Sequence, residues 1–255
     1  MITGGARRLG RAMALSLAQR GYDIALHYVG AADDAQETAA EIKALGVTVT
    51  VHHADLLKAE ETQSLVGLAA AELGRPLTVL VNNASIFEYD TLQTATQESW
   101  DRAIGSNLRA PFVLTQEFAK QAPPVMTDDA GEPLASAVVV NMIDQRVRKL
   151  TPEFMSYTIA KMGLWAFTQT AARALAPQIR VNAIGPGPTL QGARQTKEHF
   201  DNQRAATVLG RGANPADIVA ALNFIVDAPA LTGQLLCIDG GQHLAWHTLD
   251  VQGVE

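Results

Sequence analysis

Strand-like and helix-like stretches alternate along this chain about seven times, and few architectures tolerate that pattern. Strands are expected at Asp23–Tyr28 and over residues 47–53, 77–85, 136–143, 179–188 and 234–241. The helices between them are expected over residues 9–20, Asp33–Leu45, Lys58–Leu73, Gln97–Lys120, from Glu153 onward, and Pro215–Asp227. The run LTVLVNNAS is apolar on both faces, as a strand covered by helices on each side must be. The pattern therefore predicts an α/β fold: one domain over residues 1–255, with a doubly wound parallel sheet of about seven strands and helices on both faces. Only Met1 and Ile2 precede the first glycine-rich loop, so the first strand is either very short or begins upstream.

In the loop Thr3–Gly10, TGGARRLG, glycines stand before a helix start. Backbone N–H groups there can cradle a pyrophosphate. The next strand ends in His27, Tyr28, Val29 and Gly30, and the first acid after it is Asp33. An acid at that strand end would bind a ribose 2′-OH and repel a 2′-phosphate. Its absence, with Arg7 and Arg8 in the loop, favours NADP(H) over NAD(H), unless both arginines merely face solvent.

The richest stretch is Asn141–Lys161. Tyr157 and Lys161 share a helix face, where an ammonium would lower the phenol's pKa and prepare it for proton transfer. Asp144 arrives at the end of the fifth strand, on the crevice side of an open sheet, or else pairs with Arg146 or Arg148. Asn107 falls inside a long helix. There it either faces solvent or marks a bend that binds water, with Pro111 four residues on.

Other features narrow the setting. The net charge of −6 and the lack of a basic run argue against nucleic acid and anionic membranes. The lone Cys237 permits no intrachain disulfide and, with no signal or spanning segment evident, fits a cytoplasmic protein. No metal-ligand cluster stands out, and His52 and His53 read as structural. Residues 121–134 read as a surface loop. Residues 189–212 read as irregular and polar, either a substrate lid or a plain loop. The tail from His243 to Glu255 has no periodicity.

Taken together, TGGARRLG, Asp55, NNAS (82–85), Asn107, Tyr157-x-x-x-Lys161, VNAIGPG (181–187) and Asp239-Gly240-Gly241 resemble the short-chain dehydrogenase/reductase family along essentially the whole chain. The resemblance implies a Rossmann-like fold, a nicotinamide cofactor, a small-molecule substrate and a homotetramer. It implies that Asn107, Tyr157 and Lys161 are catalytic and that Lys161 also holds the nicotinamide ribose. The implied cofactor contacts are Gly4, Arg7, Arg8, Leu9, His27, Tyr28, Asp55, Leu56, Asn83, Ala84, Ser85, Tyr157, Lys161, Pro186 and Gly187.

Two departures point to a branch. Arg8 replaces a usual glycine and Asp144 replaces a usual serine, as in pteridine reductases, whose ring-stacking aromatic falls at Phe87. The substrate contacts so implied are Arg8, Ser85, Phe87, Asp144 and Tyr157. Val29-Gly30-Ala31 departs from that branch's basic cluster and leaves Arg7 as the obvious 2′-phosphate clamp. Chemistry favours the same branch. An ionised aspartate would repel a developing ketone oxyanion, whereas an aspartic acid is suited to passing a proton to a ring nitrogen through Tyr157 or a water. The expected function is NADPH-dependent reduction of a pterin-type C=N bond. Reduction of another small carbonyl or imine is the alternative, and a silent dinucleotide sensor is disfavoured by the retained Asn107, Tyr157 and Lys161.

Overall fold

The computed structural model describes residues 1–192 and 194–246. Its central sheet is parallel throughout. In chain order the main strands are β1 (Ile24–Tyr28), β2 (Val49–His53), β3 (Val79–Asn82), β6 (Ala137–Met142), β7 (Ile179–Pro186) and β8 (Leu235–Ile238). A short antiparallel ribbon, β4 (Met126–Thr127) with β5 (Pro133–Leu134), forms inside the segment expected to be a plain surface loop.

Residues 1–3 fill the sheet's central slot. Ile2 bridges Leu26 on one side and Val81 on the other, both in parallel. The order is therefore β2-β1-Ile2-β3-β6-β7-β8. The direction of winding reverses between Ile2 and β3, and the crevice beyond the strand ends at such a reversal is where an open α/β sheet binds ligands.

The strands are covered twice. Along β6, Val138, Val140 and Met142 join the core under α1 (Arg8–Gln19), α2 (Ala32–Ala44) and α8 (Pro215–Asp227). Ala137 and Val139 enter the opposite core under α3 (Ala59–Leu73), α5 (Ala110–Gln121) and α6 (Met155–Leu175). This two-residue alternation follows from strand geometry, and it accounts for the unbroken apolar runs in the sequence.

Three elements depart from expectation. The single helix expected over Gln97–Lys120 is α4 (Gln97–Ile104), a π-helical stretch Gly105–Arg109, and α5. The helix expected from Glu153 starts at Met155, because Phe154 is left-handed at φ 55°. Residues 189–212 are not wholly irregular, since α7 (Lys197–Ala205) lies within them and Thr196 accepts the His199 N–H at its start. In the tail, Gln242–Leu244 forms a 3₁₀ turn, and residues 247–255 lie outside the described residues.

Candidate active site

The crevice floor is built by strand ends. Tyr157, on the first turn of α6, donates from its hydroxyl to Asp144 Oδ2 at 3.1 Å, just past β6. Asp144 Oδ1 accepts the Arg146 N–H at 2.8 Å, which fixes the carboxylate at the start of a 3₁₀ turn. Burial raises the Asp144 pKa, opposed by its hydrogen bond from Arg146 and that residue's charge. Burial also raises the Tyr157 pKa well above its ordinary value, with Asp144 adding to the rise. That direction is opposite to the lowering expected from Lys161.

Lys161 lies elsewhere than a simple Tyr–Lys pair suggests. Its Nζ donates to Met142 O at 2.7 Å and stands 5.5 Å from the centre of the Tyr157 ring. Desolvation lowers its pKa to about 8, partly offset by the Asp144 charge. The phenol is thus a protonated donor at neutral pH, and the lysine is a buried cation beneath it.

Asn107 is fully buried, not solvent-facing. Its Nδ2 donates to Ile86 O at 2.9 Å and Ala103 O at 3.0 Å, and its Oδ1 accepts from Ser85 Oγ at 2.6 Å. The π-helical stretch turns this side chain inward, as such single-turn insertions do at functional sites. Two polar pairs therefore line the crevice, Ser85 with Asn107 and Tyr157 with Asp144.

Phe87 is 44% exposed. It stacks on Phe154 with centroids 4.3 Å apart and planes 7° from parallel, and it meets Tyr157 edge-on at 4.7 Å. One face of the expected platform is thus already covered. Arg194 lies over Phe87 at 5.6 Å and donates to its carbonyl, while Arg146 lies over Phe154 at 5.1 Å. Phe154, Arg146 and Arg194 were not among the sequence candidates. An aromatic three residues before Tyr157 was the available signal, but its left-handed backbone has no sequence mark.

The glycine loop forms the opposite wall. Helix α1 begins without a side-chain cap, so its first N–H groups are left for an anion. Gly4 is at φ 60°, and a Cβ there would stand 3.2 Å from Ala84 Cα. A Cβ on Gly10 would stand 2.1 Å from Gly4 O, so glycine alone allows this approach. Thr3 Oγ1 accepts the N–H groups of Asn83 and Ala84 at 2.8 and 2.9 Å, and Asn83 Nδ2 donates to Thr3 O and Gly4 O. Asn83 is accordingly a strut of the loop. This uncapped, Cβ-free cradle fits the pyrophosphate of a dinucleotide.

The remaining candidates are placed as follows. Arg7 pairs with Asp34 at 3.5 Å, both exposed. The Arg8 guanidinium donates to Leu190 O and Gln191 O, tying the glycine loop to the segment after β7. Leu9 is half-buried beside it. His27 is fully buried with both ring nitrogens engaged, so its side chain does not face the crevice. Tyr28 packs edge-on against His53 at 5.4 Å. Asp55 Oδ1 accepts the Leu57 N–H at 3.0 Å, and Leu56 is buried. Pro186 ends β7 and Gly187 follows it, so close to Asp239 that a Cβ would stand 2.5 Å from its Cβ.

Comparison with known proteins places these features. A family model described as enoyl-(acyl carrier protein) reductase matches residues 4–243. The chain is 30% identical to the 3-oxoacyl-(acyl-carrier-protein) reductase FabG of Staphylococcus epidermidis, over 96% of this chain and 98% of that one. FolM alternative dihydrofolate reductase 1 of Brucella suis, solved in complex with NADP, superposes at TM-score 0.90 with 39% identity, covering 98% of this chain and 96% of that chain. A short-chain dehydrogenase of Burkholderia cenocepacia in complex with NADP superposes at TM-score 0.84 with 30% identity, covering 94% and 96%.

Proposed function

This chain belongs to the short-chain dehydrogenase/reductase family as an NADP-dependent oxidoreductase, and from that premise we propose that it reduces a pterin-type C=N bond, in a dihydropterin or dihydrofolate. The observation that carries the proposal is Asp144, bonded to the proton donor Tyr157 and with its pKa raised by burial. The name of the Brucella relative supports the same reading.

The bound cofactor supplies the hydride. Tyr157 gives its hydroxyl proton to the substrate nitrogen, and Asp144, when protonated, resupplies the phenol oxygen once the hydrogen bond between them has reversed direction. Lys161 provides positive charge beneath the phenol as its proton leaves, and it would hold a ribose hydroxyl of the bound cofactor. Asn107 accepts the Ser85 hydroxyl proton and fixes Ser85 at the crevice. The exposed part of Phe87 carries the flat ring. Residues 189–212 act as a lid, latched by Arg8 and by Arg194 through backbone carbonyls. A cytoplasmic homotetramer is part of the proposal. It is supported by the lone cysteine and by the exposed Phe112, Ile159 and Met162 on α5 and α6.

A second reading, reduction of another small carbonyl or imine, is favoured by the 3-oxoacyl relative. The two separate in one assay, NADPH oxidation with dihydrobiopterin, dihydrofolate and a panel of ketones. Pterin turnover is expected, and Phe87→Ala should raise its KM roughly 5- to 150-fold, the equivalent of about 1–3 kcal/mol of stacking. Turnover of ketones with no pterin activity would overturn the pterin reading.

A further inference from the structure

His27 lies at 0% exposure in β1, directly beneath the glycine loop. Its Nδ1 accepts the Gly4 N–H at 3.0 Å, and its Nε2 stands 2.9 Å from Ala54 O. An amide can only donate and a carbonyl can only accept, so these two partners fix the ring as the Nε2–H tautomer. Desolvation lowers its pKa to about 4, which keeps the ring neutral at pH 7. One imidazole thus joins the loop before α1 to the segment after β2.

The peptide groups around Gly4 are held from two sides. His27 takes the Gly4 N–H, and Asn83 Nδ2 reaches the Gly4 carbonyl at 3.1 Å. Between these ties Gly4 keeps φ at +60°, the conformation that brings its carbonyl against Gly10. An apolar residue in place of His27 would fill the same space and leave the Gly4 N–H with no acceptor, loosening the loop at Gly4 while the backbone bond from the Gly5 N–H to the His27 carbonyl remains.

We propose that His27 is a positioning residue of the dinucleotide site: it sets affinity through the Gly4 amide without touching the cofactor. The inference rests on the cofactor reading above.

Three variants separate positioning from mere packing. In His27→Asn the side-chain oxygen falls where Nδ1 lies and keeps the Gly4 acceptor. In His27→Gln the terminal amide falls where Nε2 lies and keeps only the Ala54 donor. His27→Leu keeps neither. The readouts are the NADPH dissociation constant, by nucleotide fluorescence, and the Tm of the cofactor-free protein. All three variants should lose Tm to a similar extent. His27→Asn should bind NADPH within roughly threefold of the unaltered chain, while His27→Gln and His27→Leu should weaken it roughly 5- to 30-fold. Unchanged affinity in Gln and Leu, or affinity that tracks Tm across all three, would overturn the proposal. Should the variants not fold, ¹⁵N-histidine NMR of the unaltered chain decides, since a proton on Nδ1 is incompatible with the Gly4 bond. An unaltered chain that binds neither NADPH nor NADH would overturn the cofactor reading as well, whereas binding with no variant effect removes this inference alone.

Discussion

At the scale of single residues, burial outweighs charge pairing at Tyr157. The i,i+4 spacing of Tyr157 and Lys161 is legible in the sequence, because helix periodicity alone puts them on one face. The direction of the phenol's pKa was not legible, because it depends on desolvation and on Asp144, which arrives from another element. Tyr157→Phe should lower turnover by about 10²–10⁴-fold, the usual contribution of a positioned acid, with little change in NADPH affinity. Turnover at the unaltered rate would move the active site elsewhere. A pH profile tests Asp144. Its pKa is raised, so its protonated form persists above the range where an ordinary aspartate has ionised. If protonated Asp144 is the donor, kcat falls as pH rises through that elevated pKa, and the fall disappears in Asp144→Asn together with most of the rate. A rate that climbs toward alkaline pH through that range contradicts this proton path.

At the scale of elements, the helices were legible where periodicity is local and missed where long-range partners decide. Asn107 lies in a π-helical stretch because its amide is claimed by Ile86 O, from a loop 21 residues earlier in the chain. No local pattern announces such a partner. The start of α6 is a similar case. Phe154 enters it left-handed and no side chain of its own neighbourhood caps it. Instead Asp90, 66 residues upstream and buried, accepts the Ser156 N–H at 3.1 Å through Oδ1. Its backbone carbonyl takes the Met155 N–H, and its Oδ2 accepts from Ser99 Oγ at 3.2 Å. A carboxylate at a helix N-terminus is favourable in charge as well as in hydrogen bonding. Asp90→Ala should therefore destabilise the protein by about 0.5–2 kcal/mol in urea denaturation, the usual range for a lost helix cap. Because Tyr157 lies one residue beyond Ser156, kcat should fall too. A stability loss with kcat intact would make Asp90 a cap without a positioning role.

At the scale of the whole molecule, the order of strands was largely implied by their spacing along the chain. Parallel strands need crossover helices, and right-handed crossovers that reverse direction once produce a doubly wound sheet. Residues 1–3 lack the length for a recognisable strand, yet they occupy the central slot because β1 and β3 hold Ile2 from both sides. The path of residues 189–212 back to Arg8 was not legible, since it rests on backbone carbonyls that any sequence offers. The same limit applies to the cofactor's 2′-phosphate. Sequence supplies Arg7 and the lack of an acid after β1, but in the fold Arg7 lies 3.5 Å from Asp34 at the start of α2. Both side chains are largely exposed, at 61% and 44%, so the pair is a weak one and a phosphate can displace Asp34 at small cost. NADPH should accordingly bind more tightly than NADH at equal ionic strength. Arg7→Ala should weaken NADPH by roughly 10- to 150-fold, the loss of one charge-assisted contact, and leave NADH nearly unchanged. Asp34→Asn removes the competing carboxylate and should tighten NADPH a few-fold, with no effect on NADH. Salt distinguishes this from a general charge effect: the gain in Asp34→Asn should shrink as ionic strength rises, because the Debye length falls from about 10 Å at 0.1 M to about 3 Å at 1 M. Equal dissociation constants for the two cofactors, in the unaltered chain and in Asp34→Asn alike, would show that Arg7 does not read the 2′-phosphate.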